Sequence, residues 1–422
     1  MAEDTGFGRL PGGAQILWEH VGSSRTVSLG FFFATGSRFD PPGQAGTAHL
    51  VEHMVFKGTA AHTAASLARL VDRVGGDLNA WTDREELAFT CTVPAEAWPV
   101  AVEALTELCL HPTFPEEEFE REKEVIRSEI LATFEDPEDL SYEEFLRQVS
   151  PGEWSRPVAG TQESLASITR EDALGWWSTF CTTDRLTVAV CGWIDPVRLR
   201  RALEPRLEAA ARLSGTRAQP SRFSPGARRW SVKAPFQMAQ ILGGFTFPSP
   251  QTPREAAVWQ MVSMLWGETM SSRLFQKIRE QQGLCYSVTS QVFDAEGTWG
   301  LQFFATSAPK NTGALVGSLA DEVRRLTAEP PTEAEWEDAR AALRGAIILG
   351  AERTENRVGR LWRQWDSFGV VLGAEETAQV LEQGVSADEK RQVLDVLTAQ
   401  VPSILVWGKF PRRLPAVFPW DA

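Results

Sequence analysis

Two of the five histidines in this 422-residue chain lie four residues apart, in the stretch TAHLVEHMVFKGT (residues 47–59). If the stretch is a helix, at about 100° per residue, His49, Glu52 and His53 share one face and apolar residues occupy the other. Two imidazoles one turn apart can bind a single metal ion. Glu52 lies beside them, where its carboxylate can take a proton from water.

The order H-x-x-E-H is a signature of zinc proteases, the inverse of the more common H-E-x-x-H. The stretch therefore predicts a zinc-binding helix. The alternative is a helix whose exposed face happens to carry histidine and glutamate, so further residues have to decide between the two.

A zinc site of this kind needs a third protein ligand and one open position. The candidate segment is FPEEEFEREKEVIRSEILATF (114–134), where Pro115 and several acids begin a predicted helix. Glu122 and Glu129 are two turns apart at the edge of its apolar stripe. A carboxylate facing a core is costly unless it is paired or bound to metal. A histidine does not readily supply this third ligand, because the remaining histidines lack any comparable context: His20, His62 and His111.

The segment alone leaves a second interpretation open, in which Glu122 and Glu129 pair with basic groups elsewhere. Together with the histidine pair, the metal interpretation is favoured. The remaining charged side chains of this helix are expected on its solvated face: Arg121, Lys123, Glu124 and Arg127.

The elements that would position these residues alternate between strand and helix, which predicts an α+β fold. Alternating or continuous apolar runs predict strands at 14–19, 26–35, 86–93 and 185–194. Helical spacing of apolar residues predicts helices at 47–57, 64–74, 95–110 and 115–134.

The chain is longer than one hydrophobic core normally supports, so at least two domains are expected. Apolar periodicity stops at 207–229, where Pro, Ser, Gly and Arg accumulate as in a linker. This predicts an N-terminal domain, 1–206, and a C-terminal domain, 230–422. The pattern then restarts with a strand at 237–247, helical stretches at 255–279 and 336–365, and a strand at 403–409. The halves are interpreted as distant copies offset by roughly 210 residues.

Composition restricts the classes of partner. The formal net charge of −14 argues against nucleic acid or an anionic membrane. No apolar run is long enough to span a bilayer, and the first residues lack the features of a secretory signal, so a cytoplasmic location is expected. The five scattered cysteines favour buried, reduced thiols over disulfides.

Five motifs in this order resemble the pitrilysin/insulinase family of zinc metallopeptidases, and within it the bacterial relatives of mitochondrial processing peptidase. They cover nearly the whole chain: AHLVEHMVFKGT, GGDLNAWTDRE, FPEEEFEREKEVIRSEI, TFCTTDRLTVAVCGWID and SSRLFQKIREQQGLCYSV. The resemblance implies that His49, His53 and Glu129 bind one Zn²⁺ per chain and that Glu52 is the general base. It implies that Glu122 does not bind the metal itself and supports a ligand histidine or the site as a whole.

The resemblance assigns two more groups of residues. Arg279 and Tyr286 would donate hydrogen bonds to the oxyanion that forms during peptide hydrolysis. Asn79 and Ala80, with Trp81 next to them, would hold a peptide against an edge strand through main-chain hydrogen bonds. From the residues alone, Tyr286 is a tyrosine packing at a strand start and Asn79 a turn residue.

The resemblance also implies an architecture and an activity. The fold would be two homologous α/β-sandwich domains with mostly antiparallel sheets flanked by helices, forming half of a clamshell-like chamber. The protein would be an endopeptidase for short or unfolded peptides, as a homodimer or, alternatively, a heterodimer. The competing hypotheses are a non-catalytic chamber subunit and a metal-binding protein without hydrolysis.

Overall fold

The computed structural model describes residues 4–133, 135–150, 152–210, 228–295 and 297–414. The strands in these ranges are β1 (Asp4–Arg9), β2 (Gln15–His20), β3 (Thr26–Phe33), β4 (Asp77–Thr82), β5 (Leu87–Pro94), β6 (Leu186–Gly192), β7 (Arg229–Lys233), β8 (Ala239–Pro248), β9 (Ser287–Ala295), β10 (Thr298–Ser307) and β11 (Ser403–Gly408).

The helices of the first half are α1 (Thr47–Val55), α2 (Ala64–Asp72), α3 (Trp98–Leu110), α4 (Glu116–Thr133), α5 (Pro137–Val149), α6 (Gln162–Ser167), α7 (Arg170–Phe180) and α8 (Pro196–Ala209). Those of the second half are α9 (Pro253–Ser263), α10 (Thr312–Ala328), α11 (Glu333–Gly350), α12 (Thr354–Phe368), α13 (Ala374–Gln379) and α14 (Ala387–Thr398). Two π-helical segments, Met264–Glu268 and Phe275–Gln281, follow α9.

The strands form two mostly antiparallel sheets. The first has the order β1-β2-β6-β3-β5-β4, and the second has the order β7-β11-β8-β10-β9. Each contains one parallel pair, β2 with β6 and β7 with β11. The second sheet thus repeats the last five strands of the first, with β9 beginning 210 residues after β4 and β11 beginning 217 after β6. The predicted α+β fold with two homologous halves is confirmed.

The described residues divide into two compact units that do not coincide with the halves of the chain. Unit 1 takes in the described parts of 1–132, 156–220 and 348–376, and unit 2 those of 133–155, 221–347 and 377–422. Each unit therefore contains a helix from the other half, α12 in unit 1 and α5 in unit 2. The predicted linker lies, from 211 to 227, outside the described residues, and the domain boundaries stay predictions.

In unit 1 the central strands are covered on both faces. β6 is buried along its whole length and β3 everywhere except at Thr26, which explains their continuous apolar sequences. One face packs Phe31 and Phe33 against residues of α1 and α3. The other face packs Phe32 against Val358 and Leu361 of α12.

A buried ion cluster fastens α12 to the first sheet. Glu19 on β2 is 0% exposed, and its carboxylate accepts hydrogen bonds from Arg357 at 2.7 Å and Arg360 at 2.5 Å. It also accepts from the main-chain N–H of Ala374 at 2.9 Å. The two guanidinium groups neutralise a charge that would otherwise be very costly inside the unit.

In unit 2 the helix α5 covers one face of the second sheet in the same way. Its buried residues Phe145, Leu146 and Val149 belong to a cluster with Leu242 on β8 and Leu405 on β11. Since α5 and α12 also begin 217 residues apart, the repeat extends to the helix that each half supplies.

One predicted element differs from the structure. The stretch 336–365 was predicted as one helical pattern, and it is two helices with a break at Ala351–Arg353. Gly350 ends α11, and the side chain of Asn356 on α12 donates to its carbonyl at 3.0 Å. A glycine and a side chain that satisfies a terminal carbonyl both favour a helix end.

Replacing the buried carboxylate should destabilise unit 1. We expect Glu19→Ala to lower the free energy of unfolding by about 3–5 kcal/mol, because Arg357 and Arg360 would be left without their counter-charge. Urea denaturation followed by circular dichroism measures this. The matched control is Glu204→Ala, which breaks an exposed pair with Arg200 and should cost less than about 1 kcal/mol. Equal losses in the two variants would contradict the role of the cluster.

Two Arg–Glu pairs make the stability of unit 2 dependent on pH. Hydrogen bonds from Arg273 lower the pKa of Glu335 to about 2, and those from Arg254 do the same for Glu389. Because the folded pKa lies below the ordinary value of 4.5, the stabilisation is complete above about pH 4.5 and is lost as the pH falls towards 2. In urea denaturation, Glu335→Gln should be less stable than wild type at pH 6, and the difference should shrink at pH 3. A difference that grows at pH 3 would have the wrong sign.

Candidate metal centre

The helix α1 carries the H-x-x-E-H residues on the face that does not enter the core. Leu50, Val51 and Met54 are fully buried on its other side, as the helical pattern predicted. This packing fixes the rotation of the helix about its axis, so His49 and His53 emerge together. Their ring centroids are 4.7 Å apart.

The helix α4 brings its carboxylates to the same place. Its apolar residues Phe119, Ile126 and Ile130 are buried, and this stripe anchors the helix to the core of unit 1. Glu122 and Glu129, one on each side of Ile126, thereby face α1. The side chain of Glu122 is 7% exposed and that of Glu129 is 53% exposed.

The side chains of His49, His53 and Glu129 converge with ligand atoms that all lie within 4.8 Å of one another. Oε2 of Glu129 is 3.8 Å from Nε2 of His49 and 3.5 Å from Nε2 of His53. A tetrahedral zinc ion with bonds of about 2.0–2.1 Å holds its ligand atoms about 3.4 Å apart. The three residues therefore fit a zinc ion with little rearrangement, and two imidazoles with one carboxylate is a donor set typical of catalytic zinc.

The protonation state of His49 suits a metal ligand. Burial, followed by the proximity of His53, lowers the pKa of His49 to about 4. Its imidazole is therefore neutral at physiological pH, which is the form that binds a metal. Among the described residues, none accepts a hydrogen bond from its Nδ1, so packing alone orients this ring.

A carboxylate behind the ligands orients His53. Oε2 of Glu122 lies 3.0 Å from Nδ1 of His53, and Oε1 forms an ion pair with Lys57 at 2.7 Å. Holding the proton on Nδ1 leaves Nε2 of His53 directed at Glu129. Glu122 thus pairs with a basic residue and supports the histidine at the same time, so both interpretations of this carboxylate are present together.

Glu52 is held beside the histidines by a threonine. The hydroxyl of Thr82 donates to Oε2 of Glu52 at 2.5 Å. Burial raises the pKa of Glu52, although the hydrogen bond from Thr82 and the charge of His53 lower it in part. A carboxylate whose proton affinity is raised is a better general base near neutral pH.

The strand β4, which carries Asn79, Ala80 and Trp81, lies at the edge of the first sheet. Among the described residues, no strand pairs with its outer side. Asn79 is exposed, and its Oδ1 accepts from the N–H of Ala80 at 2.9 Å. The indole N–H of Trp81 donates to Glu86 at 2.5 Å, and the same carboxylate accepts from Trp362 on α12. Trp81 is therefore held rigidly beside the edge.

Arg279 and Tyr286 belong to unit 2, whereas the metal-binding residues belong to unit 1. Arg279 lies in the second π-helical segment with its guanidinium over the ring of Phe275. Tyr286 directly precedes β9, donates its main-chain N–H to Thr306 at 2.9 Å, and is 79% exposed. This exposure does not agree with the interpretation of Tyr286 as a tyrosine that packs at a strand start. Its catalytic role stays a prediction.

Three features of the site escaped the sequence reasoning. Lys57, one turn after His53, and Thr82, at the end of the edge strand, were not singled out. Lys123 was predicted on the solvated face of α4, and this was wrong. It is buried and donates to the carbonyl of Ile168 at 2.9 Å. Its position near the apolar stripe was a usable signal for Lys123, whereas Thr82 depends on the pairing of distant elements.

Comparison with known proteins gives matches over most of the chain. The family model described as Insulinase (Peptidase family M16) matches residues 15–159, and the model described as Peptidase M16 inactive domain matches residues 167–343. A protein of Mycobacterium leprae named an uncharacterized zinc protease is 31% identical over 379 residues, which cover 89% of this chain and 85% of that protein. Another so named, from Mycobacterium tuberculosis, is 30% identical over 389 residues, covering 91% and 88%.

The chain belongs to the insulinase family of peptidases, family M16, as its motifs indicated. At the level of the family it is a zinc protease. Its fold is similar to a crystal structure of a peptidase M16 inactive domain from Pseudomonas fluorescens, with a TM-score of 0.87, 17% identity, and coverage of 98% of this chain and 100% of the other. A protease from Helicobacter pylori gives a TM-score of 0.86 at 18% identity, with coverage of 96% and 100%.

Within the described ranges, every helix is too short or too polar to cross a lipid bilayer. The four cysteines Cys91, Cys109, Cys181 and Cys191 are buried and, like the less buried Cys285, not in disulfides. The predicted free thiols agree with the structure.

Removing the carboxylate behind His53 should weaken zinc binding. We expect Glu122→Ala to raise the dissociation constant for Zn²⁺ by about 10–100-fold, because the imidazole loses the acceptor that fixes its orientation. Competition with a chelator of known affinity measures this. Glu124→Ala is the matched control, since Glu124 lies on the same helix but on its exposed face, paired with Arg127. Equal zinc affinity in both variants would contradict the supporting role of Glu122.

Proposed function

We propose that this protein is a zinc-dependent endopeptidase that hydrolyses short or unfolded peptides bound in extended form. The observation that carries the proposal is the convergence of His49, His53 and Glu129. Glu52 lies on α1 between the two histidines. A site that only stored or sensed a metal would have no use for a buried carboxylate held beside the ligands.

The zinc ion, held by His49, His53 and Glu129, would polarise a peptide carbonyl and lower the pKa of a water molecule towards about 7. Glu52 takes a proton from the attacking water and passes it to the nitrogen of the leaving amine. The hydrogen bond from Thr82 holds the carboxylate of Glu52 in one rotamer before the proton transfer. Glu122 keeps His53 in the tautomer that presents Nε2.

The edge strand β4 offers a binding surface for an extended peptide. A peptide added to this edge would pair with the main-chain groups of Asn79 and Ala80, which requires no particular side chain. Trp81 would contact peptide side chains that point to its face of the sheet. Since Thr82 ends β4 and touches Glu52, this edge leads directly to the proposed general base.

Arg279 and Tyr286 are proposed as the donors that stabilise the oxyanion of the tetrahedral intermediate. Two observations support this role. Arg279 lies on a π-helical segment, a conformation common at functional sites, and Tyr286 is exposed at the start of an edge strand.

We propose a homodimer that encloses a chamber, with one zinc ion per chain and a cytoplasmic location; a heterodimer is the alternative. Both the metal-binding residues and the Arg/Tyr pair occur on this chain, so two identical chains would be sufficient. A closed chamber would favour short or unfolded peptides over folded proteins.

The second candidate function is a non-catalytic chamber subunit. It is favoured by one observation, the match of residues 167–343 to a model described as an inactive domain. The first half, however, retains every residue of the H-x-x-E-H motif. The last histidine of the sequence is His111, so the second half contains none. The range that matches the inactive domain therefore contains none of the residues that would hold the metal.

Replacing the proposed general base should separate metal binding from hydrolysis. We expect Glu52→Gln to retain zinc while kcat for a quenched fluorescent peptide falls by at least about 100-fold, because the amide cannot accept the proton. The wild-type protein should stop cleaving when a chelator is added and recover with Zn²⁺. Cleavage by Glu52→Gln at the wild-type rate would exclude the general-base role. A wild-type protein that binds zinc and cleaves no peptide would favour the non-catalytic subunit.

A further inference from the structure

The loop before the zinc helix buries a carboxylate that the proposed mechanism does not use. Asp40 is 4% exposed. Its Oδ2 accepts hydrogen bonds from the main-chain N–H groups of Gly46 at 2.7 Å and Thr47 at 3.1 Å, and its Oδ1 accepts from that of Ala48 at 2.9 Å. All three donors are at the start of α1, and Ala48 directly precedes His49.

Helices are usually capped by the residue immediately before their first turn. In α1 that residue is Gly46, which has a left-handed φ of 94° and no side chain to cap with. A Cβ there would lie 2.6 Å from the carbonyl oxygen of Ala159, so a capping side chain at position 46 has no space. Asp40 supplies the cap from six residues further back in the sequence.

A second chain segment braces this cap. Arg156 donates to the main-chain carbonyl of Asp40 at 2.6 Å and to that of Arg38 at 2.8 Å. Its charge and the three N–H donors lower the pKa of Asp40, but burial has the larger effect and raises it to about 7. Above this pH the carboxylate is ionised and also interacts favourably with the dipole of α1.

An exposed cap in the same unit shows that helix stability alone does not require such burial. Asp195 caps α8 with the usual spacing, accepting from Val197 at 2.8 Å and Arg198 at 3.4 Å near the surface. Burial of Asp40 carries a free-energy cost of desolvation, which the exposed Asp195 avoids. What Asp40 gains is three fixed hydrogen bonds on the short helix that carries two metal ligands and the proposed general base.

We propose that Asp40 is a positioning residue for the metal centre, which fixes the first turn of α1 and thereby the approach of His49 and His53 to Glu129. A displacement of α1 by a fraction of an ångström changes both ligand distances to Glu129 at once. The inference rests on the proposed zinc site but not on peptide hydrolysis, because zinc affinity is measured without substrate.

The test is Asp40→Asn, with Asp195→Asn as the matched control, at pH 8, where Asp40 of the wild type is ionised. Asparagine cannot accept from all three N–H groups, because one of its two side-chain polar atoms is itself a donor. We expect Asp40→Asn to raise the dissociation constant for Zn²⁺ by about 10-fold or more and to lower kcat with little change in KM. Asp195→Asn should leave zinc affinity and kcat within about twofold of wild type.

If Asp40→Asn unfolds more easily but keeps wild-type zinc affinity, Asp40 has only a structural role and the proposal is wrong. Asp40→Glu, which keeps the charge, should recover part of the zinc affinity, and no recovery relative to Asn would also count against it. Should the Asn variant fail to fold, Arg156→Lys is the second variant. It keeps a cation but cannot donate hydrogen bonds to the carbonyls of Asp40 and Arg38 in the same two-pronged geometry. Zinc affinity should then fall several-fold, and an unchanged value would overturn the proposal. If the wild-type protein binds zinc but cleaves no peptide, the proposed peptidase function is wrong. The zinc-affinity test of Asp40 still applies in that case.

Discussion

The hydrogen bond between His53 and Glu122 is the interaction on which the metal centre depends. It joins two residues that are 69 positions apart in sequence, one on each helix, and it decides which nitrogen of the imidazole faces Glu129. Lys57 keeps Glu122 in an environment where a charged carboxylate is tolerated inside the unit. Without this link, α1 and α4 would each still pack against the core, but the imidazole of His53 would lose the acceptor that turns its Nε2 towards Glu129.

The same principle, a buried charge fixed by partners from distant segments, occurs twice more in unit 1. Glu19 is held by two arginines of α12, and Asp40 is held by the first turn of α1 with Arg156 behind it. In each case the charge would be unfavourable alone and is stable only in one arrangement of the segments. Buried carboxylates therefore define the relative positions of elements that apolar packing would leave free to slide.

Local periodicity was sufficient to predict α1, α4 and the candidate ligands, because a helical repeat and the cost of a carboxylate near a core are both visible in a short window. The mixture of strands and helices and the repeat also followed from the pattern of the chain, whereas the order of the strands within each sheet did not. What could not be predicted depends on distant partners. Thr82 donates to Glu52, which lies 30 residues away in sequence, and α12 comes from the second half of the chain to pack against Phe32 of the first sheet. The roles of Arg279 and Tyr286 came only from the family resemblance, since nothing local distinguishes them.

The contribution of α12 to unit 1 has a consequence for biosynthesis. When residue 210 leaves the ribosome, the strands of the first sheet are complete, but the helix that covers Phe32 and neutralises Glu19 ends at Phe368. At about 5–20 residues per second, the intervening translation takes roughly 10–30 s, during which one apolar face of the sheet is uncovered. During this interval the exposed apolar surface around Phe32 makes the nascent chain prone to aggregation, and the risk ends only when most of the second half has been translated.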